Sequence, residues 1–186
     1  MRDEKMIFPT NKKEVYENIT LQLKGMFEDC TNVFPNLANA AALLNQEMEN
    51  INWVGFYFLR NRNSGNGLGM EYEIKEVGQQ EESLLVLGPF QGKPACVEIR
   101  VGKGVCGTAA AKDEIMLVKD VHEFPGHIAC DAASRSEIVL PIHADGKIVG
   151  VLDIDSPKLA RFDEEDQAGL EAVVKILEEM CEKTRV

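Results

Sequence analysis

No stretch of the 186-residue chain approaches the ~18 uncharged apolar residues that a membrane span requires. The opening Met1-Arg-Asp-Glu-Lys5 alternates in charge and lacks the apolar block of a signal peptide. Both absences predict a cytoplasmic protein, in which thiols stay reduced unless they serve catalysis or redox sensing. Positive charge is scarce too: 20 basic against 31 acidic side chains leave −11, which argues against nucleic acid or an anionic membrane as the main partner. The three histidines and five cysteines form neither a His-x-x-x-His nor a Cys-x-x-Cys pair, so spacing presets no tetrahedral zinc site and the reading carries no metal. What is left is thiol chemistry.

The length suits one domain over residues 1–186, with a core that needs no disulfide staple. Apolar residues at Val15, Ile19, Leu23 and Phe27 predict a helix over 11–27, and Leu37, Ala40, Ala41 and Leu44 a second one after Pro35. The aromatic run 51–59 reads as a strand. Residues 61–82 turn polar and Gly/Asn-rich, a loop-like insertion in which 71–77 could form a short exposed strand. The core resumes at 84–87, with 88–94 a turn-rich connection and 96–101 a half-buried strand. A small helix follows over 105–111, then a strand at 115–118 and a long connection at 119–136.

Asp145-Gly146 between two apolar runs predicts a tight type I′ hairpin. Asp163 caps a last helix whose stripe is Leu170, Val173, Val174, Leu177, Met180 and Cys181. Hairpins without βαβ alternation define an α+β class: an antiparallel sheet with helices packed on one face.

Cys181 continues a helical stripe and Cys30 closes a helix, so both read as structural. Cys106 lies where a Gly-rich turn enters a helix, whose N-terminus would stabilise a thiolate; by spacing alone it is a good nucleophile candidate. Cys130 sits in the long connection beside His127 and Arg135, where reactive residues concentrate. Cys96 looks more like a partner than an attacker. Composition leaves open whether all three are simply buried. Cys130-Asp-Ala-Ala-Ser-Arg135 is one residue short of a cysteine-phosphatase loop, and Gly102-Lys-Gly-Val-Cys-Gly107 lacks the ending of a P-loop. His143 reads as a surface residue.

Longer motifs carry a resemblance. Asn52-Trp-Val-Gly-Phe-Tyr57, Leu87-Gly-Pro-Phe-Gln-Gly-Lys-Pro-Ala-Cys96, Val101-Gly-Lys-Gly-Val-Cys-Gly-Thr-Ala109, Gly126-His-Ile-Ala-Cys-Asp-Ala-Ala-Ser134, Ser136-Glu-Ile-Val-Leu-Pro141 and Gly150-Val-Leu-Asp-Ile-Asp-Ser156 resemble the free methionine-(R)-sulfoxide reductases, which are stand-alone GAF domains. The likeness spans about residues 11–180 apart from the insertion. It implies that Cys130 is the nucleophile, Cys96 the resolving thiol and Cys106 an auxiliary thiol, overruling the preference for Cys106. It places substrate contacts on Glu137, Asp153 and Asp155, with Trp53 and Tyr57 as aromatic walls.

The substrate implied is free methionine sulfoxide, recycled by a thioredoxin-like dithiol reductant. No cofactor is needed, and a homodimer is compatible with the family likeness alone. Asp153 and Asp155 share the strand face opposite Leu152 and Ile154, and Glu137 starts the hairpin-paired strand, so three acids gather in one place. A non-catalytic GAF sensor of small ligands or redox state is the rival reading.

Overall fold

The computed structural model describes residues 11–28, 30, 32–61, 83–126 and 132–183. Most of the polar insertion at 61–82, with its suggested strand at 71–77, and the segment holding His127 and Cys130 lie outside these residues.

Two helices lead, α1 (Lys12–Glu28) and α2 (Val33–Glu47), the latter capped where the Phe34 N–H donates to Asn32 Oδ1. They are followed by β1 (Trp53–Asn61), β2 (Ser83–Gly92), β3 (Glu98–Arg100), α3 (Gly104–Lys112) and β4 (Met116–Val118). After a single 3-10 turn at Val121–Glu123 come β5 (Ser136–Ala144), β6 (Lys147–Ser156) and α4 (Glu164–Lys183). The six strands form one antiparallel sheet in the order β3-β2-β1-β6-β5-β4. Among the described residues no helix is long and apolar enough to cross a membrane.

The alternation of side chains along a strand gives this sheet two distinct faces. Val54, Phe56, Ile138, Leu140, Ile142, Leu152 and Ile154 point to one side and pack with Ile19, Leu23, Leu44, Leu170, Val173 and Leu177 of α1, α2 and α4. Trp53, Tyr57, Val139 and Val151 point to the other and pack with Val105, Cys106 and Ala109 of α3. The expectation of helices on one face holds for the terminal helices, but α3 covers the opposite face. Its small residues let it sit close to the sheet, and that second layer creates the pocket described below.

Two local readings are corrected. Strand β2 runs through 88–92, because Phe90 and Gln91 keep pairing with Gly55 and Val54 across a bulge. The strand expected at 96–101 shortens to Glu98–Arg100, leaving Cys96 before it. Cys30 likewise stands two residues beyond the end of α1. The β5–β6 hairpin forms as expected: Asp145 and Gly146 have φ of 52° and 69°, the pair of positive values a type I′ turn requires. Asp163 caps α4, its Oδ1 accepting from the N–H groups of Glu165 and Asp166 at 3.1 Å each.

Candidate active site

The α3 side of the central strands carries the polar residues singled out by sequence. Glu137 on β5 faces Asp155 on β6, while Asp153 faces Val139, so Glu137 and Asp153 meet diagonally across the hairpin. On the other side of β6, Trp53 pairs with Asp155 and Gly55 with Asp153. Gly55 must lack a side chain here: a Cβ would stand 2.4 Å from Phe90 Cβ and 2.5 Å from Trp53 Cη2. The indole therefore folds along its own strand, stacked at 5.4 Å on Phe90 and 5.9 Å on Tyr57.

Both aromatic walls are anchored by their polar ends. Trp53 Nε1 donates to the Lys93 carbonyl at 3.1 Å, and the Tyr57 hydroxyl donates to the Cys96 carbonyl at 3.1 Å. These bonds hold residues 93–96 over the sheet. The result is a pocket with Glu137, Asp153 and Asp155 on the sheet, Trp53 and Tyr57 as walls, and Lys93, Pro94 and Ala95 along one rim. The N-cap Lys103, the first residues of α3 (Gly104, Val105 and Cys106) and Ser134 complete it. Ser134 is itself fixed, its Oγ accepting from Asn52 Nδ2 at 3.0 Å.

Burial decides the protonation states. Glu137 and Asp153 are only 5% and 6% exposed. The carboxyl of Glu137 is held well above its ordinary value, first by burial and then by the negative charges of Asp153 and Asp155. Asp153 is pushed up to about 6 by burial, restrained by hydrogen bonds from Cys106 and Glu137. The pair is thus consistent with one shared proton held by Glu137 and donated to Asp153, the usual outcome when two acids lie too close for both to ionise. Asp153 Oδ1 is buried without a hydrogen-bond partner, an unmet acceptor on a residue that lines the pocket.

Cys106 sits in the first turn of α3, as expected, but the expectation of a helix-stabilised thiolate fails. Its Sγ is buried, 3.9 Å from Glu137 Oε1, and burial together with Asp153 and Glu137 raises the thiol well above its ordinary value. Loss of solvation and two nearby acids outweigh a half-charge at a short helix end. The segment with Cys130 lies outside the described residues. Cys96 is half-buried at the end of the rim segment, and Cys30, Cys96 and Cys106 are free thiols.

His143 is away from the pocket, bridging Glu178 and Asp113 at 3.0 and 2.8 Å. Sequence reasoning missed the rim lysines Lys93 and Lys103, Ser134, and the meeting of Cys106 with Glu137 and Asp153. The thiol comes from α3 and the acids from the β5–β6 hairpin some thirty residues on, a convergence that a search for local ligand spacing does not detect.

A sheet with helices on both faces and a polar pocket under the small helix is the arrangement of a GAF domain, and the model of that domain family matches residues 37–179. The free methionine-R-sulfoxide reductase of Escherichia coli is 45% identical over 94% of this chain and 93% of its own length, and that of Saccharomyces cerevisiae 41% identical over 92% and 88%. The solved structure of the Neisseria meningitidis free methionine-R-sulfoxide reductase in complex with its substrate superposes with a TM-score of 0.79 at 40% identity, covering 95% of this chain and 94% of that one. The chain belongs to the GAF domain family and, within it, to the free methionine-R-sulfoxide reductases.

Proposed function

We propose that this protein reduces free L-methionine (R)-sulfoxide to methionine with its GAF domain. The observation that carries the reading is the buried acid pair, one proton-bearing and one with an unmet oxygen, beneath an aromatic wall in a chain of this family.

An amino acid has a cationic nitrogen, and Asp153 and Asp155 are suited to receive it. Methionine within a peptide has no such charge and would leave buried anions unpaired, which discriminates far more strongly than a methylene contact can. The substrate's carboxylate suits the N-terminus of α3, whose N-cap Lys103 makes no side-chain capping bond and whose first residues line the pocket. Trp53 and Tyr57 offer flat apolar surface to the side chain. Glu137 holds a proton where a sulfoxide oxygen needs one as its sulfur is attacked.

Cys130 is assigned as the attacking thiol. Ser134, four residues further along the chain, lies on the pocket wall. Attack on sulfur with transfer of the oxygen leaves methionine and a Cys130 sulfenic acid. The sulfenic acid condenses with the Cys96 thiol, releasing water and forming a disulfide. A thioredoxin-like dithiol then reduces that disulfide by exchange and is itself oxidised. Cys106 serves as a reserve thiol in that exchange. The cycle needs a reducing compartment, in keeping with a cytoplasmic setting; a homodimer is compatible with the family likeness.

The test is steady-state oxidation of a dithiol with purified R and S epimers of free methionine sulfoxide. Continuous consumption with the R epimer, matched by methionine formed, is expected. Consumption that stops after one equivalent identifies a redox sensor and removes the enzyme reading.

A further inference from the structure

The acid pair has a third neighbour, a buried thiol that neither attacks the sulfoxide nor forms the first disulfide. Cys106 Sγ and one oxygen each of Glu137 and Asp153 all lie within 4.8 Å of one another, and all three residues are buried. The Sγ–Oε1 separation is 3.9 Å, whereas a tetrahedral zinc ion with one thiolate and one carboxylate ligand sets its donors about 3.5 Å apart. Closing that gap takes only small side-chain rotations. Asp153 Oδ1 supplies an independent sign of a missing partner, being buried with no hydrogen bond. Asp155 lines the same pocket but stands outside this trio, so water would complete the shell of a bound ion.

We propose that Cys106, Glu137 and Asp153 form a binding site for a thiophilic divalent cation such as Zn²⁺, occupied in competition with the sulfoxide substrate. A soft sulfur beside two carboxylates selects a borderline ion over Mg²⁺ or Ca²⁺, which prefer all-oxygen shells. The ion stands where the substrate's ammonium and the Glu137 proton are needed, so occupancy and substrate binding exclude each other. The competition, though not the site, rests on the substrate reading above.

The test uses the full chain as its Cys96→Ser/Cys130→Ser variant, so that Cys106 is the remaining thiol of the pocket region, titrated with Co²⁺ as a visible stand-in for Zn²⁺. A thiolate-to-cobalt charge-transfer band is expected; it should vanish on adding Cys106→Ser and need about tenfold more cobalt on adding Asp153→Asn instead. Emission of Trp53, the single tryptophan, reports that each variant keeps its folded pocket. Excess Zn²⁺ should bleach the band. A missing band, or one that survives without Cys106, overturns the site. Free methionine sulfoxide should also bleach it; a folded variant whose cobalt is not displaced retains the metal site but refutes the competition. Cobalt binding is read without turnover, so its failure is distinct from any failure of the reductase reading.

Discussion

Two buried acidic sites in this molecule are solved in opposite ways. Asp166, in the first turn of α4, has a fully buried side chain and is surrounded by donors. Arg161 gives its Nη1 to both carboxylate oxygens at 3.0 Å, Lys12 approaches at 2.6 Å, the Tyr16 hydroxyl donates at 2.8 Å, and the backbone N–H of Asp163 adds another bond at 3.0 Å. This cluster ties α1 to α4 and fixes the helix start. Glu137 and Asp153, on the far side of the sheet, are dominated instead by burial and each other, and retain an unmet oxygen. A buried acid surrounded by cations and N–H groups is part of the frame, whereas one that keeps its proton and an empty valence is suited to a ligand.

The largest test of that contrast is Glu137→Gln. It preserves shape but removes the transferable proton, so turnover should fall about 10²–10⁴-fold, the usual weight of a positioned general acid. The thermal midpoint should stay level or rise, because an acid that burial penalises has been neutralised. Steady-state kinetics alongside melting would check it, and unchanged turnover would remove Glu137 from the proton-donor role.

The mirror-image substitution is Asp166→Ala. It strands Arg161, partly buried Lys12 and the buried Tyr16 hydroxyl, and should cost about 3–5 kcal/mol of stability in denaturant titrations. Molecules that remain folded should reduce substrate at an ordinary rate. A large stability loss from Glu137→Gln and none from Asp166→Ala would reverse the comparison.

The two regions should also respond to pH with opposite sign. Asp153 has its folded value raised to about 6 from an ordinary 3.8, so the folded state binds the extra proton between those values. Its contribution is present below pH ~4 and is lost as pH rises through about 6. Asp163, held to about 2 chiefly by its hydrogen bond with Lys12, contributes above its ordinary 3.8 and loses that contribution as pH falls toward about 2. Melting curves from pH 2 to 8 should therefore show Asp153→Asn gaining on the parent as pH rises, and Asp163→Asn closing its deficit as pH falls. In activity, ionisation of Asp153 to receive an ammonium should place a rising limb of kcat/KM near pH 6, with the value belonging to the coupled pair.

How much of this was legible in the sequence depends on whether the cause was local. The type I′ turn at Asp145-Gly146 and the Asp163 cap are written in neighbouring residues, and both formed as read. The shared face of Asp153 and Asp155 follows from a two-residue period, and register then sets Asp155 opposite Glu137. What failed had long-range causes. Gly88 and Pro89 look like a turn, yet pairing with β1 carries β2 through them. Cys106 looks activated from its helix position, and only folding reveals the burial and the two acids that keep it protonated. The placement of α3 on the second face was hidden for the same reason: its run of small residues states that it packs closely, not against which side.

His143 provides an intermediate case and the smallest expected effect. Its imidazole is half-exposed and bridges Glu178 of α4 to Asp113, the left-handed residue that ends α3. Burial opposes its charge, but hydrogen bonds to Glu178 and Asp113 prevail, so its value lies above the ordinary 6.5. The protonated ring thus stabilises the fold fully below 6.5 and loses that contribution as pH rises through the raised value. His143→Gln keeps a hydrogen-bonding side chain but no charge, and should destabilise by at most about 1 kcal/mol at acid pH, since exposed pairs are screened by solvent. The deficit should shrink as the parent histidine deprotonates. A deficit independent of pH would mean that the bridge acts through neutral hydrogen bonds, making it a packing joint between two helices and not a third class of acid site.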